Sequence, residues 1–241
     1  MYEKITLKYG NRIEVIKCHT WRCSTPGEKR NSRANQSSEK QQKQNEKRRQ
    51  KNLERLLIGN FSEEDYHLVL TYRPEERPET EESKRILQKF FRGLRNEYKK
   101  LGLILKYVAV TEWESTHIHH HIVLTGCAKI GAVLRKLWRG GIHLEALYEN
   151  KNFAGLAEYL IKETKKTFRE AGNPWKQTYT CSRNLKKPEI HKEIVPAESW
   201  REEPQCPPAL VKLGYYLEKD SVISGVNGDG YGYQTYCFVR C

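Results

Sequence analysis

Apolar and polar positions alternate with two different periods along this chain, and the period changes mark its elements. Residues 1–17, "MYEKITLKYGNRIEVIK", alternate weakly and suit a hairpin turning at Gly10-Asn11. Residues 24–52 hold almost nothing apolar, and their first part should be mobile. Within them "EKQQKQNEKRRQKNLERLLI" lacks Gly and Pro and gains apolar residues at its end, which predicts a helix running into the core at Leu56-Leu57-Ile58. "YHLVLTY" (66–72) is rich in β-formers and stops before Pro74. Residues 79–102 carry an apolar stripe at Leu87, Phe90, Phe91, Leu94, Tyr98 and Leu101. That predicts a helix with Thr80 as N-cap and Gly102 as its stop.

Two further strands follow, 103–113 and 117–125, separated by the polar turn Glu114-Ser115-Thr116. A helix over 128–141 with a glycine stop, a short strand over 142–147 and a helix over 153–172 complete the pattern. The order β-α-β-β-α-β-α predicts an α+β fold, a split βαβ with a central antiparallel sheet and helices on one face. Residues 173–196 read as loop, with Pro174, Pro188 and Pro196. The last residues alternate around "NGDG" and suit a β hairpin. We therefore divide the chain into a basic, partly mobile arm (1–58), a central domain (59–190) and a β-rich appendage (191–241).

Charge changes this picture. The net formal charge of the 241 residues is +13, and residues 1–58 hold fifteen Lys and Arg against six Asp and Glu. Such an excess points to a polyanion, and the arm over 29–55 is expected to grip duplex DNA through phosphates. Seven scattered cysteines define no disulfide framework; Cys18 and Cys23 form a lone CxxxxC without a matched second pair, so free loop thiols compete with a metal knuckle there. No apolar run is long enough to span a bilayer and no signal peptide is evident, so a cytoplasmic protein with no membrane partner is expected.

Chemistry concentrates in "TEWESTHIHHHIVLTG" (111–126). In a strand, His117, His119 and His121 share one face and His120 takes the other. A hairpin can bring Glu112 opposite His119, so that two imidazoles and a carboxylate converge in a divalent-metal site. The register could also slip by two, with His117 and His119 as ligands. Downstream, "AEYLIKETKK" puts Tyr159 and Lys162 three residues apart on one helical face. A phenol beside a cation and a metal suits nucleophilic attack on a phosphodiester, leaving the DNA 5′-end on the tyrosine. A packed ring and a solvated amine are the competing explanation for that pair. Scissile single-stranded DNA would need stacking platforms and a basic groove. The candidates are Trp113, Trp138 and Trp175 with Arg135, Arg139, Lys165, Lys166, Arg183, Lys186 and Lys187. Core packing is the competing role for each tryptophan.

"LVLTY" (68–72), "HHHIVL" (119–124) and "EYLIKE" (158–163) together resemble the three motifs of the HUH endonucleases, in order and spacing. More narrowly they resemble the rolling-circle replication initiators of bacterial phages, plasmids and integrated elements. The flanks "LLIGNF", "KLWRGGIHLE" and "SRNLKKPEI" extend the likeness over about residues 53–190. The resemblance implies an HUH endonuclease-like fold, His119, His121 and Glu112 as ligands of Mn2+ or Mg2+, Tyr159 as nucleophile and Lys162 as its partner. It puts Thr71 and Tyr72 in the first motif. One motif tyrosine is present; Tyr148 and Tyr179 remain open as a second. The implied activity is site-specific nicking and rejoining of single-stranded origin DNA, initiating rolling-circle replication. The chain has no GxxxxGK[ST], so a host helicase would unwind and a host polymerase extend. A conjugative relaxase, a single-strand transposase and a non-enzymatic nucleic-acid-binding module are the alternatives.

Overall fold

The computed structural model describes residues 1–20, 39–114, 117–147, 153–165 and 177–240. In chain order its elements are β1 (Tyr2–Tyr9), β2 (Arg12–His19), α1 (Glu39–Ile58), β3 (Tyr66–Thr71), α2 (Thr80–Lys100), β4 (Tyr107–Glu114) and β5 (His117–Leu124). They continue with α3 (Ile130–Leu137), β6 (Ile142–Ala146), α4 (Ala154–Lys165), β7 (Thr180–Cys181), β8 (Glu189–Val195), α5 (Pro208–Val211), β9 (Tyr215–Val226) and β10 (Gly232–Arg240). The architecture is α+β, with two five-stranded antiparallel sheets flanked by helices. The chain divides into two compact units, Lys43–Lys186 and Met1–Gln42 with Lys187–Cys241.

The unit Lys43–Lys186 contains the predicted β-α-β-β-α-β-α order, with strands arranged β6-β3-β5-β4-β7. Side-chain alternation sends Leu68, Leu70, Ile122 and Leu124 to one face, where the apolar stripes of α2 and α3 cover them. Fully burying such aliphatic side chains contributes about 1.5–3 kcal/mol each. Val108, Val110 and Val123 point the other way and are equally buried. A sheet apolar on both faces needs two covers. The expectation of helices on one face is therefore corrected: α4 lies on the second face, where its Tyr159 ring meets His121 and His67.

Local boundaries also moved. Glu79, not Thr80, is the N-cap of α2; it makes no side-chain cap, and Ser83 N–H donates to its carbonyl at 2.8 Å. Gly102 ends that helix at φ +69°, as expected. Helix α3 stops at Leu137, short of Gly140-Gly141. Trp138 leaves the helix in extended conformation because its ring is buried against Phe90 and Tyr72 and its Nε1–H donates to the Thr71 carbonyl at 2.9 Å. A Cβ at Gly140 would fall 1.9 Å from that same carbonyl oxygen, so the glycine serves a close backbone approach rather than a helix stop.

The other unit holds the sheet β8-β1-β2-β10-β9. The hairpin at Gly10-Asn11 forms as expected, and a second joins β9 to β10, where Asn227 Oδ1 accepts from the amides of Asp229 and Tyr231. Its core comprises Ile13, Val15, Tyr236 and Phe238. Two features differ from the sequence reading. Residues 189–195, read as loop, form an edge strand paired with β1, and β2 pairs with the C-terminal β10. Cys18 lies in β2 rather than in a loop, half-buried, its thiol pushed up by burial; Cys23 lies outside the described residues. Among the described residues no helix is long and apolar enough to cross a membrane.

Candidate active site

The centre of the sheet in Lys43–Lys186 brings the histidine strand between two partners. In β5, Thr71 of β3 stands opposite His119 on one side and Glu112 of β4 on the other. His121 is the next position on the same face and is 3% exposed; its Nε2 lies 3.4 Å from Glu112 Oε2. One ligand atom from each of Glu112, His119 and His121 lies within 4.8 Å of the others, so this cluster can hold a metal ion. His117 sits at the exposed start of the strand, opposite Glu114, and is not part of that cluster.

Helix α4 presents Tyr159 to the cluster. Ala157, Leu160, Ile161 and Thr164 are buried along one stripe, which fixes the helix rotation. Tyr159 lies at the margin of that stripe. Its ring stands edge-on to His121, with centroids 5.3 Å apart, while 41% of the residue stays exposed. Lys162, one turn later, is exposed.

The sequence reading missed a third ring. His67 on β3 lies nearly parallel to His121 at 5.7 Å and edge-on to Tyr159 at 6.5 Å. Its Nε2 is buried without a hydrogen-bond partner. Burial, then the neighbouring His121, lowers its pKa to about 4, so it is neutral at pH 7. The available signal was the polar His67 two positions before Val69 within "YHLVLTY", sharing the face that Thr71 continues.

Directly behind the cluster His120 points into the core. It is 0% exposed, and burial lowers its pKa to about 3, with smaller contributions from His121 and His119. Tyr72 OH lies 2.9 Å from its Nε2 and Thr111 Oγ1 2.9 Å from its Nδ1. A neutral imidazole has one N–H and one lone pair, so one hydroxyl donates to the ring and the other accepts from it. Each partner adjoins a residue opposite His119: Tyr72 follows Thr71, and Thr111 precedes Glu112. One buried ring thus links all three central strands beneath the metal cluster.

The remaining candidates scatter. Arg135 is exposed on α3, the helix layer on the face away from the cluster, and Arg139 is exposed in the turn after it. Arg183, Lys186 and Lys187 are exposed beyond β7, and the Lys186 amide donates to Asn60 Oδ1. Trp138 is 5% exposed in the core and cannot act as an exposed stacking platform. Tyr179 is half-buried, and burial pushes its phenol up. Lys166, Trp175 and Tyr148, and the side chains of Lys165 and Trp113, lie outside the described residues.

Residues 65–168 match the replication-associated protein family of the ORF2 type. The matched span runs from β3 to α4 and contains Glu112, His119, His121, Tyr159 and Lys162. This similarity supports a replication-initiator role. No curated protein and no solved structure matches the chain.

Proposed function

We propose that this chain is a metal-dependent initiator that nicks single-stranded origin DNA through Tyr159, holds the 5′-end as a phosphotyrosine and later rejoins it, starting rolling-circle replication. The observation carrying this reading is the half-exposed Tyr159 ring edge-on to His121, within a cluster where Glu112, His119 and His121 converge. Two imidazoles and a carboxylate suit Mn2+, and Mg2+ with more of its own waters retained. The cation, when bound, supplies Lewis-acid polarisation of the scissile phosphodiester.

The chain's own groups supply the rest. Tyr159 Oη forms a bond to phosphorus and the P–O3′ bond breaks. The phenol gives up its proton and the departing 3′-oxygen acquires one. One phosphoester replaces another, so the strand can be rejoined by the reverse step. Lys162, one turn along the same helix, favours the phenolate by its charge; a free phenol ionises only near pH 10. A helicase and a polymerase of the host would act on the freed 3′-end.

The test uses end-labelled single-stranded DNA from the encoding element, with Mn2+ or with EDTA, resolved on a denaturing gel. The expected result is a metal-dependent covalent adduct on the 5′-end of the downstream fragment, absent from Tyr159→Phe. Binding without cleavage, on DNA known to contain the origin, would replace this reading with a non-enzymatic binding module.

A further inference from the structure

Helix α1 has two parts with different surroundings. Its last six residues bury Leu53, Leu56, Leu57 and Ile58. Residues 43–52 bury nothing, and Lys43, Lys47, Arg48 and Arg49 are exposed. That stretch holds five basic residues and one acid, Glu46. Lys51 is held by Glu54 at 3.1 Å, but among the described residues no ion pair reaches Lys43, Lys47 or Arg48. Lys43, Lys47 and Lys51 follow one another at i, i+4, where like charges cost an isolated helix about 0.2–0.5 kcal/mol per pair. A helical stretch of this length without a buried face is marginal by itself. Glutamates at those spacings would stabilise it, yet the sequence keeps the repulsion.

We infer that residues 43–52 are a binding site for the phosphate backbone of duplex DNA, separate from the nicking cluster. A polyanion turns the repulsion into attraction through release of the condensed counterions. The length also fits. From Lys43 to Arg55 the helix rises about 18 Å, and each DNA strand presents one charge per about 3.4 Å, so the stretch faces about five phosphates of one strand. The absence of aromatics selects duplex over single strand. Proteins that hold single strands stack bases on aromatic side chains, and α1 has no Phe, Tyr or Trp. Lysine and arginine contacts to phosphate give position and affinity with little sequence information. The site therefore anchors double-stranded DNA without specifying its sequence.

The experiment uses the full chain and a short blunt duplex without a nick site. Affinity is read by fluorescence anisotropy between about 50 and 200 mM salt. The variant carries Lys43→Gln, Lys47→Gln, Arg48→Gln and Arg49→Gln together, since Gln keeps helix propensity. Far-UV circular dichroism checks its fold. We expect the slope of log K against log salt to become shallower by about 3–4 and duplex affinity to fall about tenfold or more. Cleavage of a preformed single strand should stay unchanged, and so should binding to an oligo-dT strand. Hydrogen exchange over 43–52 should slow when duplex is added to the unaltered protein. An unchanged slope, an equal loss on oligo-dT, or exchange indifferent to duplex each overturns the assignment. A failed nicking assay with an intact duplex slope would count against Tyr159 chemistry alone.

Discussion

On one face of β5, His119 and His121 stand beside Glu112 with the Tyr159 ring edge-on to them. On the other, His120 is closed off from solvent between two hydroxyls. The three side chains are chemically identical and consecutive, yet their environments share almost nothing. Strand alternation alone separates them: a one-residue step moves an imidazole from a cluster open to ligands to a site where a charge would cost several kcal/mol. Residues on the cluster face should therefore govern chemistry and leave stability nearly untouched, and residues behind it should do the reverse.

The sharpest way to break this contrast is Tyr159→Phe. It should abolish the covalent DNA adduct while melting temperature and Mn2+ binding stay as they were; residual adduct would move the nucleophile elsewhere. Next comes Glu112→Ala. Outer groups around metal sites are worth 10–100-fold in affinity, and a direct ligand should be worth at least about 100-fold. Titration calorimetry with Mn2+ reads it, and unaltered affinity would remove Glu112 from the cluster.

Behind the cluster, His120→Leu should cost about 2–4 kcal/mol in urea unfolding, because Tyr72 and Thr111 lose their shared partner inside the core. Tyr72→Phe should cost about 1 kcal/mol, and the pair should be clearly non-additive. Additive losses would mean that the hydrogen bond between them contributes nothing.

The mildest effect concerns pH. His120 and His67 have folded pKa values lowered to about 3 and about 4, against an ordinary value near 6.5. Between those limits the unfolded chain binds more protons than the folded one, so stability rises with pH. It should be complete above about pH 6.5 and fall progressively toward pH 4. Urea midpoints at pH 7 and pH 5, in EDTA so that no metal competes for the rings, measure it; equal midpoints would show that the buried rings are not neutral in the fold.

The contrast between the two sheets explains which parts were readable. In Lys43–Lys186 each element follows its neighbour closely, and the periodicity of "RILQKFFRGLRNEY" or "YVAVTEW" declares helix or strand without outside help. The convergence of Glu112 with His119 also depends only on a short hairpin. In the other sheet, β1 pairs with β8 across more than 180 residues and β2 with β10 across more than 210. "EIHKEIV" is largely polar and its strand state comes from that distant partner, so local pattern left it a loop. His67 was missed for a related reason: only the docking of α4 brings Tyr159 to it.

Order along the chain, period and residue chemistry were enough to determine an α+β unit with a metal-capable hairpin and a tyrosine-bearing helix, because those features are set by contacts between near neighbours. Tertiary structure alone decided which sheet face α4 would cover, that His67 would join the rings, that Trp138 would be core, and that both chain ends would share a sheet. Each of these depends on burial between segments far apart in sequence, and the energy of such burial is fixed by packing that no local window contains.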